Sequence, residues 1–535
     1  MKSFAKFLLL AFSAIAVARA TTFELSTATV ADINAAFDAG ALNSEKLIGL
    51  YLARIAAYND AGPKIHSLML VNPRALEEAR MLDAERKTKG PRSALHGIPV
   101  ILKDNYNTKD MATTAGSFLL EGSIPPEDAF ITRKLREAGA IILGKTNLSE
   151  FASGAGTNGF SSLGGQTRNP HDPTRGPAGS SGGSGAGIAA FFAQIGFGTD
   201  TGGSIRGPSS ANGIVGLKPT NGLLSRAGIV PLSLSFDTGG PMTRSVADIA
   251  ATLGLVTGLD PKDPLTTTQA GLAYRDYVKF LDKSALQGAR IGVNRDFLGV
   301  SAETDRIYEQ AIAELKASGA TIVDPIHYPD YLLKARAGIY STILNAEFKE
   351  NIKDYLATLK PGYPKDLSEM IRRAEAFTTP SATATPNPGR LRAFREENAG
   401  AKLTDQLYLG AKNYGVPLIR AGVMSVIEAN RLDAIIYPTA SQPARPINLP
   451  SAPTGAAGGA GGGGGATNIA NITGYPDLIV PAGVTPSGLP VTLSFLGPAY
   501  SEPKLLALGY AYEQATHHRV NPPTTPPLPG EKFDY

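Results

Sequence analysis

The sequence predicts an α/β fold in one large domain, and three observations carry that prediction. Short apolar runs of strand length alternate with segments whose apolar residues recur at helical spacing, the pattern of strand-helix-strand units. No convincing linker interrupts this alternation between Asn43 and Thr439. Apolar residues make up 43% and charged residues 18% of the 535, the balance of a globular chain with a well-filled core.

The elements follow in order. Asn43 to Asp60 places Leu47, Leu50, Tyr51, Ile55 and Tyr58 close to one helical face behind an Asn or Ser N-cap. "HSLMLVN" alternates as a strand does, and "NPRALEEARMLDAERKTKG" reads as a helix that opens with proline and closes on Gly90. "HGIPVILKDN" is a buried strand ending in a charge, "PPEDAFITRKLREAGA" a helix, and "AIILGKTN" another strand. "GSGAGIAAFFAQIGFG" passes from small residues through a helix-like run into a strand, and "ARIGVN" and "LDAIIYPT" supply two more. "STILNAEFKENIKDYLATL" is helical, and the region around 330–400 that holds it is expected to help build a substrate pocket.

Composition removes several classes of function. A formal net charge of +4 with no basic run points away from nucleic acid and anionic membranes, so a small molecule or peptide is the expected partner. The absence of cysteine excludes disulfides, thiol nucleophiles and thiolate metal sites. "MKSFAKFLLLAFSAIAVARA" joins Lys2 and Lys6 to an apolar stretch, Phe7 to Val17, and to Ala18-Arg19-Ala20. These are the parts of a secretory signal cleaved after Ala20, and they predict a secreted or periplasmic protein. The expected domain then spans 21–520. "GAAGGAGGGGG" (Gly455 to Gly465) reads as a flexible loop, and 521–535 as an extended, proline-rich surface tail.

The stretch "GPAGSSGGSGAGIAA", Gly176 to Ala190, decides the chemistry. As a linker it is misplaced, because it runs directly into a helix and a strand. As a dinucleotide loop it offers only Gly185-x-Gly187-x-x-Ala190 with no strand before it, and a P-loop would need Lys-Ser/Thr after the glycines. Gly179 to Gly183 matches G-x-S-x-G, the nucleophile elbow, but Pro173 and Pro177 precede it and the downstream histidines are only His327, His517 and His518. A fourth reading pairs the stretch with "GTDTGGSIRGPSS", a second serine in a glycine nest, and with Lys103 in "GIPVILKDN". On the residues alone, Lys103 pairing with Asp104 at a strand end stays open beside it.

Those motifs, with "AIILGKTNLSEFA", "GGQTRNPHDPTRGPAGSSGGS", "GGPMTRSVADIA", "GYPDLIVPAG" and "GLPVTLSFLG", resemble the amidase signature family of hydrolases in the family's own order. The resemblance implies one large domain with a central mixed β-sheet flanked by helices on both faces. It implies Ser204 as nucleophile, Ser180 as a bridging serine after a cis peptide from Gly179, and Lys103 as base. It further implies an oxyanion hole from the backbone N–H groups of Thr201, Gly202, Gly203 and Ser204, braced by Ser181, Asp200 and Arg206. The chemistry is coherent: a serine hydroxyl needs a neighbouring base, and a lysine serves only when neutral. Desolvation lowers a lysine from its ordinary pKa of about 10.4, and the apolar "IPVIL" before Lys103 offers that setting.

The implied reaction is carboxamide hydrolysis through an acyl-enzyme, without metal or organic cofactor, by a monomer or homodimer. The C-terminal third is most similar to the family's bacterial peptide amidases, which implies C-terminal amides of peptides as substrates. "GTDTGGSIRGP" follows the broader family pattern, so aryl amides and carbamates stay open. A catalytically inactive, secreted binding protein on the same fold is the alternative of a different class. Asn147-Leu-Ser149 and Asn471-Ile-Thr473 match the glycosylation pattern but fall inside core-like motifs.

Overall fold

Eleven strands cross the molecule as one twisted sheet, and the site's position follows from their order. The computed structural model describes residues 21–153, 158–447 and 466–535. The expected leader at 1–20 and the glycine-rich loop at 455–465 lie outside the described residues. In chain order the strands are β1 (Thr22–Glu24), β2 (Leu68–Val71), β3 (Pro99–Lys103), β4 (Ile141–Thr146), β5 (Phe160–Ser161), β6 (Gly165–Gln166), β7 (Ile195–Asp200) and β8 (Val215–Lys218). There follow β9 (Thr238–Thr243), β10 (Arg290–Asn294), β11 (Thr321–Ile326), β12 (Ala434–Pro438), β13 (Asp477–Val484), β14 (Pro490–Leu496) and β15 (Lys532–Asp534).

The large sheet runs β11-β10-β12-β14-β13-β8-β9-β7-β3-β4-β2. It is mixed: β3 lies parallel to both β4 and β7, whereas β7, β9, β8, β13 and β14 pair antiparallel in succession. Helices cover both faces, as the α/β pattern requires. Strands buried on both sides read as unbroken apolar runs rather than alternations, which is why β3 and β4 are buried throughout.

The helices agree with the sequence pattern and differ mainly at their starts. Ser44–Tyr58 begins behind Asn43, whose side chain accepts from the Lys46 amide. Ala75–Lys89 starts later than the proline suggested, because Pro73 lies before the flanking residue Arg74. Phe130–Glu137 leaves Pro125 and Pro126 outside. The helix expected around Ser341 is the second half of a 27-residue helix, Asp330–Leu356. Its buried Ile343, Ala346, Phe348 and Ile352 pack into core rather than line a pocket.

The C-terminal segment is extended but tied down. β15 pairs with β1, and the Glu531 carboxylate is buried against Arg54, 2.9 Å away and itself buried. Arg54 also donates to the carbonyls of Ala190 and Thr525, joining the first helices, the end of the glycine-rich helix and the tail. A buried guanidinium stripped of its carboxylate is costly. Glu531→Ala is therefore expected to lower stability by about 3–5 kcal/mol, read as a shift in the denaturant midpoint with an unchanged slope.

Candidate active site

The site lies where β3 and β7, parallel neighbours, end side by side; the C-terminal edge of parallel strands is where α/β sheets place their ligands. Lys103 is the last residue of β3, and Thr199 and Asp200 close β7. Successive strand residues point to opposite faces, so Lys103 and Asp104 part company. Asp104 takes Lys145 at 3.1 Å and the Thr114 hydroxyl. Lys103 Nζ instead donates to Ser180 Oγ at 2.7 Å and to Thr199 Oγ1 at 2.8 Å. The reading in which Lys103 pairs with Asp104 is thereby overturned.

Lys103 is completely buried. Burial pushes its ammonium down to about 7, against the opposing pull of Asp200 and Asp237. A low value alone does not single it out. Lys218, also buried and pushed down to about 7, donates to the carbonyls of Pro219 and Tyr475 and touches no hydroxyl that could react. Of these two lysines, Lys103 is the one whose amine meets a serine hydroxyl.

The glycines of Gly176–Ala190 serve close packing. The helix Gly182–Ala189 lies against the strand ends so tightly that a Cβ at Gly183 would collide with the Asn147 backbone. The Gly179–Ser180 peptide is cis. Ser180 is pinned by its own carbonyl, which accepts from the Ser149 amide at 2.9 Å. Ser181 cross-braces the two glycine loops: its amide donates to the Ser204 carbonyl at 3.1 Å, and its hydroxyl donates to the Thr199 carbonyl at 3.1 Å. Ser180 and Ser204 thus belong to loops fastened to each other. Ser204 Oγ is buried and has no hydrogen-bond partner among the described residues.

Asp200 organises the second loop. Its carboxylate accepts from the amides of Gly203 at 2.7 Å and Ile205 at 2.9 Å, from Asn471 at 2.8 Å, and from Arg206. Burial by itself would raise this carboxyl, but the Arg206 guanidinium and these donors outweigh it and hold it well below the usual range. Arg206 also donates to Asp477 at 2.8 Å and to the Asn471 side chain at 2.6 Å. Of the expected oxyanion donors, the Gly203 amide donates to Asp200 here, and Gly203 itself adopts φ +124° with no room for a side chain beside Thr467.

Lys103, Ser180, Ser181, Asp200, Thr201, Gly202, Gly203, Ser204 and Arg206 therefore occupy one buried neighbourhood. Sequence reasoning missed Thr199, which shares Lys103 with Ser180, and Asn471 and Asp477, which complete the Arg206 cage. Thr199 stood next to a residue already singled out. Asn471 and Asp477 are more than 260 positions away, and nothing local announces them. Both glycosylation-like asparagines are buried and bonded internally. The histidines that a nucleophile elbow would need are engaged elsewhere, His327 with Asp296 and His518 with Glu314. A narrow recess beside the cluster is lined by Asn105, Thr199, Thr201, Val230, Asp237 and Thr238.

Removing one member of a buried charge cluster leaves the others unpaired. Arg206→Ala should destabilise the protein by about 3–5 kcal/mol in denaturant unfolding. Arg206→Lys should recover only part of that, because an ammonium cannot satisfy Asp200 and Asp477 with a planar fork.

The chain resembles known proteins along most of its length. The Amidase family model matches residues 46–506. A protein of Arabidopsis thaliana named probable amidase is 35% identical over 95% of this chain and 94% of its own length. Among solved structures, the native peptide amidase of Stenotrophomonas maltophilia is 41% identical, with a TM-score of 0.85 over 93% of this chain and 98% of that one. The peptide amidase PAM, in complex with the competitive inhibitor chymostatin, is 41% identical with a TM-score of 0.85 over 93% and 99%. A family match over most of the chain and a buried Ser-Ser-Lys cluster at the strand ends lead to one conclusion: the chain belongs to the amidase family and is an amide-hydrolysing enzyme.

Proposed function

We propose that the protein is an exported serine amidohydrolase that removes the C-terminal amide of peptides, with Ser204 as nucleophile, Ser180 as proton relay and Lys103 as base. The observation that carries the mechanism is the 2.7 Å bond from Lys103 Nζ to Ser180 Oγ, both residues fully buried. An amine pushed down to about 7 is substantially neutral in mildly alkaline solution and can accept a proton there.

In this mechanism Ser204 Oγ forms a bond to the carboxamide carbon while its proton passes to Ser180, whose own proton passes to Lys103. Negative charge gathers on the carbonyl oxygen, and the Thr201, Gly202 and Ser204 amides are the candidate donors to it. The proton then returns through Ser180 to the nitrogen, the C–N bond breaks, and ammonia leaves. Water attacks the resulting ester by the same relay, releasing the acid and restoring Ser204. Asp200 and Arg206 touch no reacting atom in this scheme and keep the glycine turn in shape.

Peptide amides are favoured as substrates by the 41% identity to peptide amidase structures. Export rests on the charged, apolar and small-residue order of 1–20.

The experiment is hydrolysis of an N-acyl dipeptide amide by the wild type, Ser204→Ala and Lys103→Ala. Both variants should lose roughly 10³-fold or more in kcat/KM, and equal rates in all three would leave a binding protein instead. Because the active form is the deprotonated lysine, kcat/KM should rise tenfold per pH unit below about 7 and level off above it. A panel adding an anilide and a carbamate tests the substrate class: faster turnover of either would replace the peptide-amide reading. Secretion of the full chain from its host, cut after Ala20, is checked by N-terminal sequencing.

A further inference from the structure

Tyr340 stands in the middle of the helix Asp330–Leu356, more than a hundred residues beyond the catalytic loops, yet its hydroxyl reaches them. A Cβ placed on Gly202 would run into the Tyr340 hydroxyl, so the phenol lies against the backbone of the turn that leads to Ser204. The hydroxyl oxygen is out of contact with solvent and has no hydrogen-bond partner among the described residues. The Gly202 carbonyl is already taken, accepting from Thr467 Oγ1 at 2.9 Å. An unpartnered hydroxyl shielded from solvent is costly, so its retention calls for an explanation.

The side chain is held in place from behind. Its ring stacks on Phe236, centroids 5.0 Å apart and planes 20° apart. The next residue, Asp237, accepts from the Thr201 hydroxyl at 2.5 Å and from the Leu232 and Ser233 amides. One helical stretch further along, Glu347 accepts from Ser233 Oγ at 2.7 Å, the Ser235 amide at 2.9 Å and the Tyr408 hydroxyl at 2.9 Å, fastening the helix to the same loop. Burial raises the phenol well above its ordinary range, and the nearby Asp237 and Asp200 raise it further. It therefore keeps its proton wherever the enzyme works and acts as a donor, not a base. In the turn beside it, the Gly203 amide already donates to Asp200 at 2.7 Å.

We propose that Tyr340 is a catalytic residue of this enzyme, its hydroxyl donating a hydrogen bond to the oxygen of the scissile carboxamide in place of the Gly203 amide. The inference rests on the Ser204 mechanism above. A donor that meets the oxygen as charge accumulates there lowers kcat and kcat/KM together when it is removed.

Tyr340→Phe deletes only the hydroxyl and keeps the Phe236 stack. Assayed on an N-acyl dipeptide amide, it should lose about 10²-fold in kcat, with KM within about threefold of wild type, an unchanged midpoint in pH and an unchanged melting temperature. The peptide aldehyde of the same sequence, which Ser204 converts to a tetrahedral adduct, should lose affinity by a similar factor. The intact peptide amide should bind Ser204→Ala and Ser204→Ala/Tyr340→Phe within about threefold of each other by calorimetry. Turnover by Tyr340→Phe within twofold of wild type overturns the proposal and leaves the serine mechanism standing. A raised KM with unchanged kcat also overturns it, since the hydroxyl would then meet another part of the substrate. Wild-type turnover by Ser204→Ala overturns the serine mechanism itself, and the role given to Tyr340 falls with it.

Discussion

The structure depends above all on a guanidinium with no access to water. Arg206, Asp200 and Asp477 are fully buried, and the arginine bridges the end of β7, the start of β13 and the side chain of Asn471. Taking such charges out of water costs several kcal/mol each, a loss offset only when every fork of the guanidinium meets an oxygen. The cluster cannot form until the C-terminal half of the chain closes onto the central strands. Register follows from it, since Asp477 pairs with Lys218 across the sheet and has its carboxylate bonded to Tyr437 as well as Arg206. The same Asp200 that holds Arg206 shapes the Ser204 turn through the Gly203 and Ile205 amides. Folding and the shape of the Ser204 turn are therefore one electrostatic arrangement.

Against that fixed charge frame, Lys103 occupies the opposite kind of environment. Arg206 is surrounded by carboxylates and stays charged, whereas Lys103 has hydroxyls for neighbours and loses most of its preference for the proton. Asp200 and Asp237 pull its ammonium back up, but burial prevails. The consequence is an amine able to accept a proton in mildly alkaline solution, the property the proposed mechanism asks of Lys103. Lys218 shows that the same desolvation can serve structure alone when the amine faces only carbonyls. What distinguishes Lys103 from Lys218 is its serine partner, not its burial.

Glycine and serine are frequent around the site because three backbone segments must approach within contact distance. Gly183 meets the Asn147 backbone, Gly203 adopts φ +124° beneath Thr467, and Gly202 faces Tyr340. Side chains at these positions would force the loops carrying Ser180 and Ser204 apart. The small residues that resemble a flexible linker in composition are in fact tightly confined, with Gly182 to Ala189 wholly buried.

Local order along the chain was readable because it rests on local physics. Apolar runs and helical periodicity marked β3, β4, β7, β10 and β12 and the helices Ser44–Tyr58 and Ala75–Lys89. Helix starts drifted where proline sat outside the helix instead of on its first position. Ordered motifs also named the family, Lys103, Ser180 and Ser204. The partner of Lys103 was not readable, because Asp104 is adjacent in sequence while Thr199 and Ser180 arrive only when β7 and the glycine loop pack beside β3. Nor were the contacts of Asn471, Asp477 and Tyr340, which join chain segments separated by more than a hundred residues. The fate of the Gly203 amide was equally hidden, since a backbone donor's direction depends on the finished turn. Sequence by itself determined the family, because ordered motifs are properties of the chain, and through that resemblance it singled out Lys103, Ser180 and Ser204 as the expected site. Tertiary structure alone decided which proton each of them meets, because hydrogen bonds and desolvation act over a few ångströms in space, whatever the separation along the chain.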